Sequence, residues 1–232
     1  MTDAPTLDQV KAATRLLAAR RARDSLLDFT KLTMPDPADM SDPERSLYTA
    51  AIHHRAIAEA LEKVERGEIR RLIISMPPRH GKSELASKRF LAWCMGRHPH
   101  WQIIFSTYSQ EFAEDFGKKV REIVKTETFR QVFPDLYLKP GSAASDRLEL
   151  VGDGISVFTG IGGAVTGRGA DLLVIDDPVK NREEAESVAT RNKTWDFFTS
   201  TAFTRLMPGG RIVIIMTRWH EDDLAGWLLK TQ

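Results

Sequence analysis

Gly81-Lys82-Ser83 is the first group of residues able to handle phosphate. An apolar run, Leu72 to Ile74, leads into it through the turn-forming string Met76-Pro-Pro-Arg-His. Leu85, Ala86, Phe90, Leu91 and Cys94 follow at helical spacing. Strand, turn and helix form the setting a phosphate-binding loop requires. There, backbone N–H groups at a helix N-terminus face the phosphates, the lysine reaches the outer ones, and the serine hydroxyl ligates Mg²⁺. Pro78, Arg79, His80, Gly81, Lys82, Ser83 and Glu84 are accordingly expected to bind nucleotide, with the amides of 79–83 as the cradle. The usual pattern has glycine where this chain has Met76, so the match is partial, and Gly-Lys-Ser also occurs in α/β domains that bind no nucleotide.

Asp171-Leu-Leu-Val-Ile-Asp-Asp-Pro178 is the second group. An apolar strand would deliver Asp176 and Asp177 at its carboxyl end, where open α/β sheets place ligands. Hydrolysis of a phosphoanhydride needs phosphate cradling, Mg²⁺, an oriented water and positive charge on the developing oxyanion. Asp176 suits the Walker B role beside Ser83, acting on the metal through water. Asp177 stands where a glutamate commonly polarises the attacking water and is one methylene shorter. Arg79 and Arg168 are the arginines able to meet the γ-phosphate. A third apolar run, Ile212 to Met216, ends in Thr217-Arg218, a polar strand end of the sensor kind.

The remaining elements must position these groups. Residues 7–31 suggest one or two amphipathic helices with Leu7, Val10, Ala13, Leu16 and Leu17 on the apolar side. Lys11, Arg15, Arg20, Arg21 and Arg23 fall mostly on the polar side, as a solvated face or a DNA contact. Pro35, Pro37 and Pro43 mark a linker. The division expected is a helical, lid-like segment with its linker over 1–44 and an ATPase domain over 45–232. Tyr48 to Val64 reads as a helix closed by Gly67, with Tyr48, His53 and His54 as candidates to stack on an adenine. Trp101 to Thr107 reads as a buried parallel strand. A helix capped by Ser109 follows, carrying Phe112, Phe116 and Val120 on one face. Phe129 to Leu138 looks like a packed connection. Leu148–Val151 and Ile155–Phe158 flank Gly152-Asp153-Gly154 as a hairpin. Glycines at 160, 162, 163, 167 and 169 make a turn-rich segment around Arg168. Residues 183–206 read as one long helix, Pro208-Gly209-Gly210 as a turn, and the segment from Asp222 as a final helix. Together these predict an α/β fold of the ASCE-type P-loop NTPase class: a mostly parallel sheet with helices on both faces and a small N-terminal helical subdomain.

Composition narrows the classes. Lysine and arginine number 33 against 32 acidic residues, so net charge does not argue for nucleic acid, although a local patch could bind it. The lone cysteine, Cys94, implies no disulfide, and the histidines have no zinc-ligand spacing with it. No apolar run approaches the roughly 18 residues of a membrane span, and no secretory leader is evident, so an intracellular soluble protein is expected.

Three strings taken together, Met76 to Ser83, Thr159 to Pro178, and Thr217-Arg-Trp-His-Glu-Asp-Asp-Leu224, resemble the large terminase subunit of tailed bacteriophages. The resemblance runs from about residue 45 to the end. It implies an ATP- and Mg²⁺-dependent motor that assembles as a homo-oligomeric ring, usually a pentamer, on the portal protein of a procapsid. That motor drives double-stranded DNA inward and works with a small terminase subunit. It also implies a host-cytoplasmic location, transient docking at the portal, absence from the mature virion, and no membrane. By position, Lys82 and Ser83 correspond to the Walker A lysine and metal ligand, Asp176 to the Walker B aspartate, and Asp177 to the catalytic glutamate of most members. Thr217 corresponds to the coupling motif. Arg168 resembles an arginine inserted into a neighbour's site, with Arg79 the alternative from the same chain. The family's RNase H-like nuclease domain has no counterpart in these residues. Rival readings are another DNA-dependent P-loop translocase of helicase type, or a nucleotide-binding structural module of the portal assembly.

Overall fold

The computed structural model describes residues 6–142, 144–163, 165 and 169–231. The chain opens with α1 (Leu7–Asp24), α2 (Leu26–Leu32) and α3 (Ile52–Glu65), then β1 (Arg71–Ser75). A π-helical turn over Glu84–Arg89 runs straight into α4 (Phe90–Arg97). Next come β2 (Gln102–Thr107), α5 (Gln110–Lys125), α6 (Glu127–Val132), β3 (Arg147–Glu149), β4 (Ile155–Gly160) and β5 (Ala170–Asp176). The last elements are α7 (Arg182–Glu186), α8 (Val188–Asp196), β6 (Leu206–Met216) and α9 (Leu224–Lys230).

The sheet order is β1-β6-β5-β2-β4-β3, and every pairing is parallel except β3 with β4. This is the mostly parallel α/β sheet expected from the apolar runs. Along β5, Leu172 and Val174 face one layer while Leu173 and Ile175 face the other; Val213 and Ile215 of β6 alternate in the same way with Ile212 and Ile214. Strands buried on both faces have no polar side to show, which is why they read as continuous hydrophobic sequence. Leu61, Phe90, Phe105, Phe116 and Phe158 fill the first layer, and Phe197, Phe198 and Leu224 help fill the second. β6 lies between the strand that leads into Gly81-Lys82-Ser83 and the strand that ends in Asp176, the ASCE arrangement. The hairpin at Gly152-Asp153-Gly154 forms, with Leu148 opposite Ser156.

Several expectations change. α1 buries Ala18, Ala19 and Ala22, while Leu7, Val10, Leu16 and Leu17 are exposed. Small side chains let α1 approach closely enough for the indole N–H of Trp93 to reach the Ala22 carbonyl at 3.1 Å. Ala19, Ala22, Leu26 and Phe29 belong to the same core layer as the sheet. The helix expected from Tyr48 starts at Ile52, and a short helix, α6, capped by Thr126, replaces the connection expected at Phe129.

The long helix expected over 183–206 is interrupted. Ser187 leaves the helical conformation and its hydroxyl accepts from the Thr190 amide, so it ends α7 and caps α8. Leu206 already belongs to β6, which also takes in the turn expected at Pro208-Gly209-Gly210; Gly209 has φ +81° beside a register shift between Ala170 and Leu172. No described helix is long and apolar enough to cross a membrane.

Candidate nucleotide site

The loop between β1 and the π-helical turn explains why Met76 is tolerated. Its backbone is still part of the sheet: the Met76 amide donates to the Met216 carbonyl at 3.2 Å, and its own carbonyl accepts from the Thr217 hydroxyl at 3.2 Å. The left-handed steps fall later, at Arg79 (φ 63°) and Gly81 (φ 74°). Glycine is therefore needed at 81, not at 76. A Cβ on Gly81 would also lie 2.8 Å from Nε2 of His54, on α3. That nitrogen is 2.9 Å from the His80 carbonyl, while Nδ1 accepts from the Ala51 amide at 3.1 Å. With Nδ1 accepting, Nε2 carries the proton and donates to the loop.

Lys82, Asp177 and Thr217 converge from three different elements. Nζ of Lys82, only 5% exposed, donates to Oδ1 of Asp177 at 2.7 Å and to Oγ1 of Thr217 at 2.7 Å. The Thr217 amide donates to the same Asp177 oxygen at 3.0 Å. A buried ammonium must have such partners, because an unpaired one would cost several kcal/mol. Asp177 itself sits at φ 41°, a sharp step off the end of β5.

Asp176 is 2% exposed and faces the helix that carries Ser83. The hydroxyl of Ser87 donates to its Oδ2 at 2.6 Å, whereas Oδ1 is buried with no partner. Burial, with the neighbouring charge of Asp177, pushes its pKa up to about 6, against the opposing pull of Ser87, Ser83 and Lys82. An orphaned carboxylate oxygen beside a serine is a hard-oxygen donor set, and it fits a hard divalent cation such as Mg²⁺.

Residues 73–230 match the family described as "Terminase large subunit, T4likevirus-type, N-terminal". The chain belongs to this terminase family. Among solved structures it is similar to the crystal structure of the HK97 bacteriophage large terminase, with a TM-score of 0.59 and 14% sequence identity. That likeness, one of fold, covers 90% of this chain and 40% of the HK97 chain. No curated protein matches in sequence.

Other expected residues of this terminase domain stand apart from the cluster. Tyr48 is 9% exposed, with its ring 5.3 Å from that of His54 and its hydroxyl buried without a partner. Burial first, and the charge of Glu84 second, raise its pKa to about 12. Its ring is thus covered and offers no free stacking face, while His53 is exposed beside it. The Glu84 carboxylate is committed to Lys88 and Arg89, and Arg89 in turn donates to the Thr33 carbonyl on the α2 side. His80 turns its Nδ1 onto the Pro78 carbonyl at 2.8 Å, folding the loop on itself. Arg168 lies outside the described residues. Ser87 and the bracing role of His54 were missed in the sequence. Ser87 could have been noticed, since it lies one helical turn beyond Ser83.

Proposed function

We propose that this chain is the ATPase motor domain of a DNA-packaging terminase, coupling ATP hydrolysis to movement of double-stranded DNA into a procapsid. The observation that carries this reading is the convergence of Lys82, Asp177 and Thr217 within hydrogen-bonding distance at one end of the sheet. Each residue has a role there. The amides of residues 79–83 cradle the phosphates, and Lys82 moves from Asp177 to the outer phosphates. That movement frees the Asp177 carboxylate to polarise the attacking water, so the polarising group is released only when substrate is in place. Thr217 loses its lysine partner in the same step and registers the γ-phosphate.

Ser83, with Asp176 behind it through water, would hold Mg²⁺, which would supply charge neutralisation to the phosphates. His53 is the exposed ring for the base. Arg168, reaching into a neighbouring subunit, is the favoured γ-phosphate arginine and Arg79 the alternative within the chain. The working assembly is a ring of copies, pentameric by resemblance, at the portal protein, with the small terminase subunit as a further partner in the host cytoplasm.

The test is ATP turnover with Mg²⁺, with and without linear duplex DNA. Turnover that DNA stimulates and Lys82→Ala abolishes is expected. Undiminished turnover in Lys82→Ala would sink the assignment.

A further inference from the structure

We propose that Ser87 is a positioning residue that orients Asp176 toward the metal side of the site. The inference rests on the reading of Asp176 as the carboxylate behind Mg²⁺. Ser87 is fully buried, in the π-helical turn that follows Ser83, and its hydroxyl donates to Oδ2 of Asp176 at 2.6 Å. The two carboxylate oxygens are thereby made unequal. Oδ2 is held, and Oδ1 is left buried without a partner.

A buried, unsatisfied carboxylate oxygen is costly and needs an occupant. Ser83 and Ser87 lie one helical turn apart, and the described hydrogen bond to this carboxylate comes from Ser87. Their roles differ: Ser83 belongs to the phosphate loop and offers its oxygen to the metal, whereas the Ser87 hydroxyl is already spent on Asp176. The π-helical turn that carries Ser87 closes with the Phe90 amide reaching back to the Leu85 carbonyl. Such widened turns occur frequently at functional sites. Without the Ser87 hydroxyl the carboxylate would be free to rotate, and its ionised form would lose a donor. Residues that orient a metal's partners in this way typically contribute about 10- to 100-fold to metal affinity.

The experiment measures binding of a fluorescent ADP analogue to the full chain, once in EDTA and once in excess Mg²⁺. The gain in affinity on adding Mg²⁺ is the readout. Ser87→Ala is expected to bind as the wild type does in EDTA, within about twofold, and to lose about tenfold of the Mg²⁺ gain. Ser87→Thr, which keeps the hydroxyl, is expected to restore it. Ser87→Cys, a weaker donor of similar size, is expected to fall between, and it replaces either variant that shows no cooperative melt.

A full Mg²⁺ gain in Ser87→Ala overturns the proposal. So does an equal loss of binding in EDTA and in Mg²⁺, since that is the mark of a packing role only. A wild type that binds nucleotide with no Mg²⁺ gain overturns the reading of Asp176 itself. The inference then falls with it, by a result distinguishable from the other two.

Discussion

Oδ1 of Asp177 accepts from both the Lys82 ammonium at 2.7 Å and the Thr217 amide at 3.0 Å, so one oxygen joins the phosphate loop to the end of β6. Without substrate, the lysine neutralises the group expected to polarise water. In the proposed mechanism, substrate binding and release of the Asp177 carboxylate are thus parts of one exchange of partners. Asp177→Asn is expected to retain nucleotide binding within a few-fold while ATP turnover falls by about two orders of magnitude. Isothermal titration alongside a phosphate-release assay separates the two quantities.

Thr217→Val removes the hydroxyl that touches both Lys82 and the Met76 carbonyl but keeps the side-chain shape. One bond at the β1–β6 junction and one to the phosphate-loop lysine go with it, and a melting-temperature drop equivalent to about 1–2 kcal/mol is expected. Turnover should fall about tenfold or more with ADP affinity nearly unchanged. A variant that binds ATP poorly but turns over bound ATP normally would contradict the sensing role.

Gly81→Ala meets two obstacles at once, a left-handed backbone at φ 74° and the His54 ring 2.8 Å from the new methyl group. Relief of the clash alone, in the double variant Gly81→Ala/His54→Ala, should leave the conformational cost of about 1–2 kcal/mol in place. His54→Ala alone is expected to raise the KM for ATP several-fold with little change in kcat, because it slackens the loop without touching the reacting atoms. Steady-state kinetics on the three variants checks the ordering.

At the opposite end of the sheet, one oxygen of Glu65 accepts from Arg97 at 2.8 Å and from His98 at 2.6 Å. Burial by itself would raise the Glu65 pKa, but the His98 and Arg97 donors outweigh it and hold the carboxyl below its usual range. A depressed carboxylate stabilises the fold above its unfolded pKa and loses that contribution as pH falls through the folded one. Glu65→Gln should therefore lower stability by about 2 kcal/mol at neutral pH, the scale of a hydrogen bond to a charged group. The gap from wild type should narrow once the pH falls below the ordinary glutamate range. Denaturant midpoints at pH 7.5 and pH 4 test this.

The parts of the fold that were legible in the sequence are those in which local pattern and tertiary demand agree. Ile103 to Phe105, Leu172 to Ile175 and Ile212 to Met216 are apolar because both of their faces are covered, and a run of that kind has few other uses. Strand ends then placed the chemistry, since Asp176, Asp177 and Thr217 each follow such a run. α1 was misread because its leucines form the stronger hydrophobic pattern while its alanines form the packed face. What decided that was how closely the helix approaches Trp93, a distance with no local signature. The interruption at Ser187 was a contest between helix continuation and a side-chain cap, and residue spacing does not weigh the two. Ser87 gains its meaning only because β5 brings Asp176 to it, a contact 89 residues apart in sequence.

Arg79 holds a left-handed backbone inside the phosphate loop although it is not glycine. An arginine at φ 63° is strained by roughly 1 kcal/mol relative to glycine at the same place. Glycine would hold the same left-handed backbone there without that strain. Arg79→Gly consequently separates folding from chemistry: it should yield a firmer protein and, if the side chain serves the γ-phosphate, slower ATP turnover.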